Sequence, residues 1–142
     1  MMISTKGRYA LRVVTDLAKR YDGNYVPLKD IVSRQGISQK YLESITTDLV
    51  KAGLLLGIRG KGGGYKLALP PDKLTVWDVL SVSEGDLAPI SCLKETAAPC
   101  SRADECCTLP MWENFYSMMR DYFGGITVED LTTGANDNMR RK

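Results

Sequence analysis

The chain has 142 residues, 44% of them hydrophobic, with a mean hydropathy of −0.19, which suits one packed core plus an extension. No apolar run approaches the roughly 18 residues that a membrane helix needs, and the opening MMISTKGRYA lacks the apolar stretch of a secretory signal, so the cytoplasm is the expected location. The net charge is only +2, yet residues 1–80 carry 13 Lys and Arg against 7 Asp and Glu, while residues 81–142 carry 6 against 10, so a stretch of +6 precedes one of −4. A basic N-terminal part suits a polyanion, although ordinary solvated charge is the plainer explanation on charge alone.

Ser4 or Thr5 can cap a first helix in which Tyr9, Ala10, Val13, Val14, Leu17, Ala18 and Tyr21 recur at helical spacing, and Asp22-Gly23-Asn24 stops it. Pro27-Leu28 opens a short helix to about Gln35. Gly36-Ile37-Ser38 then turns into a third helix that carries Tyr41, Leu42, Ile45 and Leu49 inward and ends at Gly53. Two short helices joined by a glycine-containing turn form a helix-turn-helix, whose second helix is the one able to enter a major groove. Ser38, Gln39, Lys40, Glu43, Ser44 and Thr47 fall off its buried stripe. Ser38 and Gln39 have donors and acceptors for base edges, and Lys40 suits a guanine or a phosphate. Glu43 is repelled by phosphates and suits a cytosine amino group, giving discrimination more than affinity. Alone, these six residues would be the wet face of an amphipathic helix.

The next segment changes that balance. Leu54 to Leu69, LLLGIRGKGGGYKLAL, reads as a strand, a basic glycine-rich tip and a returning strand. Gly60, Gly62, Gly63 and Gly64 permit a tight tip from which Arg59 and Lys61 project toward a backbone or a narrow minor groove. A nucleotide-cradling loop would need G-x-x-x-x-G-K followed by Ser or Thr, or G-x-G-x-x-G at a strand-to-helix turn, and neither occurs. Further on, Thr75-x-x-Asp78 and Thr127-x-x-Asp130 resemble capping boxes with Asp in place of Glu, marking short helices at 75–83 and 127–133.

The segments ISTKGRYALR, ISQKYLESI, IRGKGGGYKL and ITVEDL, in this order and spacing, closely resemble the Rrf2 family of bacterial winged helix-turn-helix regulators, over residues 2 to about 133. The resemblance implies a homodimer that binds a palindromic operator in double-stranded DNA, with Ser38, Lys40, Glu43 and Arg59 on positions that face DNA.

All four cysteines, Cys92, Cys100, Cys106 and Cys107, fall in the pattern C-x7-C-x5-C-C. Such clustering in a reducing compartment argues for a metal or cluster site over disulfides, and iron-sulfur centres take thiolates from loops. Zinc is the rival ligand, but the C-x2-C knuckles of zinc ribbons are absent; free structural thiols are the plainest reading. The family resemblance favours an iron-sulfur cluster, of the 2Fe-2S type. Cluster-binding members most like this chain follow three cysteines with a histidine ligand, whereas the matching residue here is Leu109 in a chain without histidine. The first cysteine spacing is two residues longer than in those members, and the N-terminal carboxylate used by nitric oxide-sensing members is replaced by Arg8. Cys92, Cys100 and Cys106 match the family's ligands. Cys107 is taken as the fourth, with Asp104 and Glu105 as oxygen alternatives.

Thr108 can cap a helix with Pro110 near its start. On a wheel, Met111, Trp112, Phe115, Tyr116, Met118, Met119, Tyr122 and Phe123 fill an arc of roughly 160°, wider than the stripe of about 100° that a helix on its own core needs. The excess predicts a second copy as partner, with Trp112, Phe115, Tyr116, Met119, Tyr122 and Phe123 at the interface.

The expected architecture is mainly α with a small β-hairpin wing. It comprises a winged helix-turn-helix DNA-binding domain over 1–83, a cysteine sensor loop over 84–108, a dimerisation helix and short C-terminal helix over 109–134, and a disordered tail over 135–142. No catalytic histidine, activated serine motif or paired acids point to an enzyme. The expected function is a transcriptional regulator, a repressor, that senses iron-sulfur or redox status. The alternatives are a cluster-free regulator switched by thiol oxidation or a protein partner, and a zinc-stabilised interaction module.

Overall fold

A computed structural model describes residues 2–139. Helix α1 spans Thr5–Ala18, and the Ser4 hydroxyl caps it by accepting the Gly7 amide at 3.1 Å. Ala10, Val13, Val14 and Leu17 are buried along its inner face, as the spacing predicts. Tyr21 does not continue that face: the amides of Arg20 and Tyr21 reach back to the Leu17 and Ala18 carbonyls, tightening the last turn and leaving Tyr21 exposed.

Helices α2 (Leu28–Gln35) and α3 (Gln39–Lys51) form the helix-turn-helix. Gly36 sits between them at φ 64° and ψ 29°, the left-handed cap for which glycine carries no Cβ penalty. Leu42, Ile45 and Leu49 of α3 share one core with Ile31, Ile37 and the inner face of α1. Polar contacts fix the same angle. The buried carboxylate of Asp16 accepts Arg34 Nη2 and Nε at 2.8 and 3.0 Å and Gln35 Nε2 at 2.8 Å, bridging α1 to α2. Burial pushes the Asp16 carboxyl up, but the hydrogen bonds from Arg34 and Gln35 and the charges of Arg34 and Arg20 together outweigh it and hold it below its ordinary value. Lys6 pairs with Asp48, and Tyr9 meets Tyr41 edge to face at 5.6 Å, tying α1 to α3.

The wing is formed by β1 (Leu55–Ile58) and β2 (Gly64–Leu67), antiparallel, with Leu55 opposite Leu67 and Ile58 opposite Gly64. Leu55 and Leu67 are buried, so the root of the hairpin is part of the core while its tip stands in solvent. Val26 and Tyr65 exchange backbone hydrogen bonds at 2.8 and 2.9 Å, pinning β2 to the segment that enters α2. Gly64 makes that approach possible: at φ 153° a Cβ would stand 2.1 Å from the Val26 carbonyl oxygen.

Helices α4 (Val76–Glu84), α5 (Leu109–Gly124) and α6 (Val128–Thr133) complete the chain. Both capping boxes form as their sequences predict: Thr75 with Asp78 at 3.0 and 3.1 Å, Thr127 with Asp130 at 2.9 and 3.0 Å. The two helix starts also face each other, because Val76 donates to Ile126 at 2.9 Å and Val128 to Leu74 at 2.8 Å. Val128 enters the main core, while Val76, Leu80, Leu87, Met119 and Ile126 form a second one. At the far end of α4, Glu84 accepts the amide and hydroxyl of Ser4 at 2.9 and 2.8 Å.

The tail over 135–142, expected to be disordered, falls partly within the described residues. Asn136 donates to the Gly125 carbonyl at 3.0 Å and to Asp130 at 2.9 Å, and Met139 packs on the second core. Residues 140–142 lie outside the described residues.

Candidate nucleic-acid interface and cysteine pocket

Helix α3 and its N-cap present Ser38, Gln39, Lys40, Glu43, Ser44 and Thr47 to solvent, and Arg59 and Lys61 are exposed on the wing. The Ser38 hydroxyl already accepts the Tyr41 amide at 3.3 Å, so capping occupies part of its acceptor capacity and its proton remains to donate. Gln39 Nε2 donates to Glu43 at 3.1 Å, pre-arranging an amide and a carboxylate one turn apart. Glu43, Thr47 and Arg59 line one open cleft of about 450 Å³ between α3 and the wing. Lys29, from the first turn of α2, lines it too. Sequence reading passed over Lys29, whose only signal was its place beside a helix N-terminus, where cations and amides together attract phosphate.

The cysteine loop carries only two single turns of 3-10 helix, Ser91–Leu93 and Ala103–Glu105. Cys92, Cys100 and Cys106 line a common open cavity of about 210 Å³, bordered by Pro99, Ala103, Leu109 and Glu113. Cys107 is not part of that lining; it is exposed, with its Sγ 3.8 Å from the Glu105 carbonyl oxygen. Thr108 does not cap α5 with its side chain. Its hydroxyl lies 3.5 Å from Cys106 Sγ instead, and that contact, with the amides of Thr108 and Leu109, pulls the Cys106 thiol below its ordinary pKa. All four thiols are free, and among the described residues no group of three or more His, Cys, Asp or Glu is gathered closely enough to grip a metal ion as the loop stands.

Helix α5 divides its apolar arc. Met119 is buried in the second core, and Tyr116 and Phe123 pack against the same core, so these three of the six expected interface residues are engaged within their own chain. Trp112 is half-buried. Met111, Phe115, Met118 and Tyr122 form the outer part, 55, 42, 62 and 47% exposed. The inner part of the arc packs on the second core, and the outer part stands in solvent.

The profile of the Rrf2 family, described as an iron-dependent transcriptional regulator, matches residues 3–134. The chain belongs to the Rrf2 family. It is 37% identical over 131 residues to the HTH-type transcriptional regulator IscR of Aliivibrio salmonicida, covering 92% of this chain and 77% of that protein. It is 35% identical over 133 residues to CymR of Bacillus subtilis, covering 94% and 91%. The solved structure of CymR, the global cysteine regulator of B. subtilis, superposes with a TM-score of 0.75 at 34% identity, over 96% of this chain and 99% of that one. T. potens IscR gives 0.73 at 30% identity, over 100% and 93%. This Rrf2 chain is therefore a DNA-binding transcriptional regulator with a winged helix-turn-helix fold, and not an enzyme. No helix among the described residues is long and apolar enough to cross a membrane.

Proposed function

We propose that the protein is a homodimeric repressor that binds a palindromic operator and reads iron-sulfur status through a 2Fe-2S cluster on its cysteine loop. The observation that carries the sensing half is the shared cavity of Cys92, Cys100 and Cys106. Three cysteines around one space supply three of the four donors that a 2Fe-2S centre takes, and the loop between α4 and α5 has little regular structure to resist drawing them inward. The lowered pKa of Cys106 favours the thiolate, the ligating form. When bound, the cluster supplies one-electron redox chemistry and cross-links the loop.

On the DNA side, α3 enters the major groove with Ser38, Gln39, Lys40, Glu43 and Ser44 toward base edges, while Arg59 and Lys61 engage the backbone or minor groove. The segments divide accordingly: 1–83 binds DNA, 84–108 senses, 109–134 dimerises. The exposed row of Met111, Phe115, Met118 and Tyr122 supports the partner copy, since monomers rarely leave so many large apolar side chains contiguous. Anaerobically purified protein is expected to be brown, to contain iron and sulfide, and to shift its operator affinity on loading. Colourless protein that holds no iron after reconstitution refutes the cluster.

A second reading has its own support. The similarity to CymR and the activated Cys106 fit a cluster-free regulator in which thiol oxidation, or a protein partner at the loop, is the switch. Iron-free protein whose operator binding responds to peroxide supports it.

A further inference from the structure

We propose that the fourth cluster ligand is the carboxylate of Glu113, and that Cys107 lies outside the cluster; this rests on the cluster reading above. The backbone decides against Cys107. Cys106 is extended, at φ −78° and ψ 105°, and the chain turns at Cys107 and Thr108 directly after it. With Cys106 on the cavity wall, Cys107 is turned out of it, and the two neighbours cannot serve one centre without rebuilding the segment that starts α5.

Glu113 reaches the cavity from a different direction. It stands four residues beyond Leu109 on α5, one helical turn away on the same face, and both residues line the cavity with the three cysteines. It takes part in no ion pair among the described residues, so ligation breaks no existing salt bridge. Asp104 and Glu105, the nearer acids in sequence, are absent from the lining. The arrangement is three thiolates from a pliant loop and one oxygen from a rigid helix. Oxygen is a harder and weaker ligand for iron than thiolate, so this corner is the one that exchanges most readily, and its loss separates the loop from α5.

The full-length protein is reconstituted anaerobically with iron and sulfide and compared with Glu113→Gln, Glu113→Cys and Cys107→Ser. Iron content, sulfide content, visible spectrum and the rate of iron loss to a chelator are measured, with circular dichroism as the check on folding. Cys107→Ser is expected to match the parent in all four. Glu113→Gln, at an exposed site, keeps the fold and loses iron about tenfold faster or fails to assemble. Glu113→Cys restores a stable cluster with a spectrum shifted by thiolate-to-iron charge transfer. A Glu113→Gln variant indistinguishable from the parent, or a Cys107→Ser variant that loses its iron, overturns the assignment while leaving the cluster reading intact. A parent that takes up no iron overturns both.

Discussion

The N-terminal head and helix α5 solve burial in opposite ways. In the head, each helix loses its apolar face to its own chain, and Leu42, Ile45, Leu49, Val13 and Val14 are essentially sealed from water. Along α5 only Met119 is buried, and large side chains stand in solvent on the outer face. The head therefore holds α3 in place with its own core, whereas α5 is held by the second core alone and its outer face is left for the partner copy proposed above. In the proposed regulator, recognition falls on the better-packed part and signalling on the part with unspent apolar area.

The sharpest way to break this contrast is to hollow the head. Leu42→Ala is expected to cost about 3 kcal/mol, because it removes packed methyl groups and leaves a cavity beneath the recognition helix. Chemical denaturation measures it, and a loss below about 1 kcal/mol would mean that the head is not the better-packed region.

Next comes the polar brace. Asp16→Asn leaves Arg34 facing a neutral group and should cost about 2 kcal/mol. Because the folded carboxyl titrates below its unfolded value, near 3.9, the stability it supplies is fully present above about pH 4 and drains away as pH falls through the folded pKa. The Asn variant should therefore lose the parent's advantage at neutral pH but show a flatter acid limb in pH-dependent melting.

At the wing, Arg59→Ala is expected to weaken operator binding about tenfold and to lower the salt slope by about one if the contact is to phosphate. Unchanged affinity would remove the wing from recognition. Glu43→Ala should change affinity less and specificity more, narrowing the gap between operator and mismatched sites by about 1 kcal/mol or more in competition binding. An equal loss on every sequence counts against that role. Smallest in folding energy is Phe115→Lys, within about 0.5 kcal/mol for the fold, yet expected to give a monomer by sedimentation. A dimer that survives both Phe115→Lys and Met118→Lys places the interface elsewhere.

Local rules made the head readable. Ser4, Gly36, Thr75 and Thr127 act within a few residues of themselves, so their caps follow from sequence alone, and the wing follows from an apolar strand, a basic glycine-rich tip and a returning strand. What sequence did not disclose is what depends on distant neighbours. A helical wheel shows that α5 has a wide apolar arc but not that Met119, Tyr116 and Phe123 face the second core. Thr108 is a residue type that favours a cap, but its backbone is helical and its hydroxyl lies beside the Cys106 thiol two residues upstream. Glu113 sits on what the wheel reads as the solvent side, and only the path of the cysteine loop brings a cavity to it.

The facing capping boxes of α4 and α6 have a mechanical consequence. They clamp the chain immediately after α5, and the packing of α5 onto the second core begins only at Tyr116. The helix is thus a lever with its pivot at the Gly124 end and the cysteines at the other. Over 16 residues it is about 24 Å long, so a tilt of about 5° at the pivot carries the Leu109 end through about 2 Å. In the proposed dimer, a loop change that tilts α5 in this way swings the outer row of Phe115 and Met118, and with it the separation of the two recognition helices.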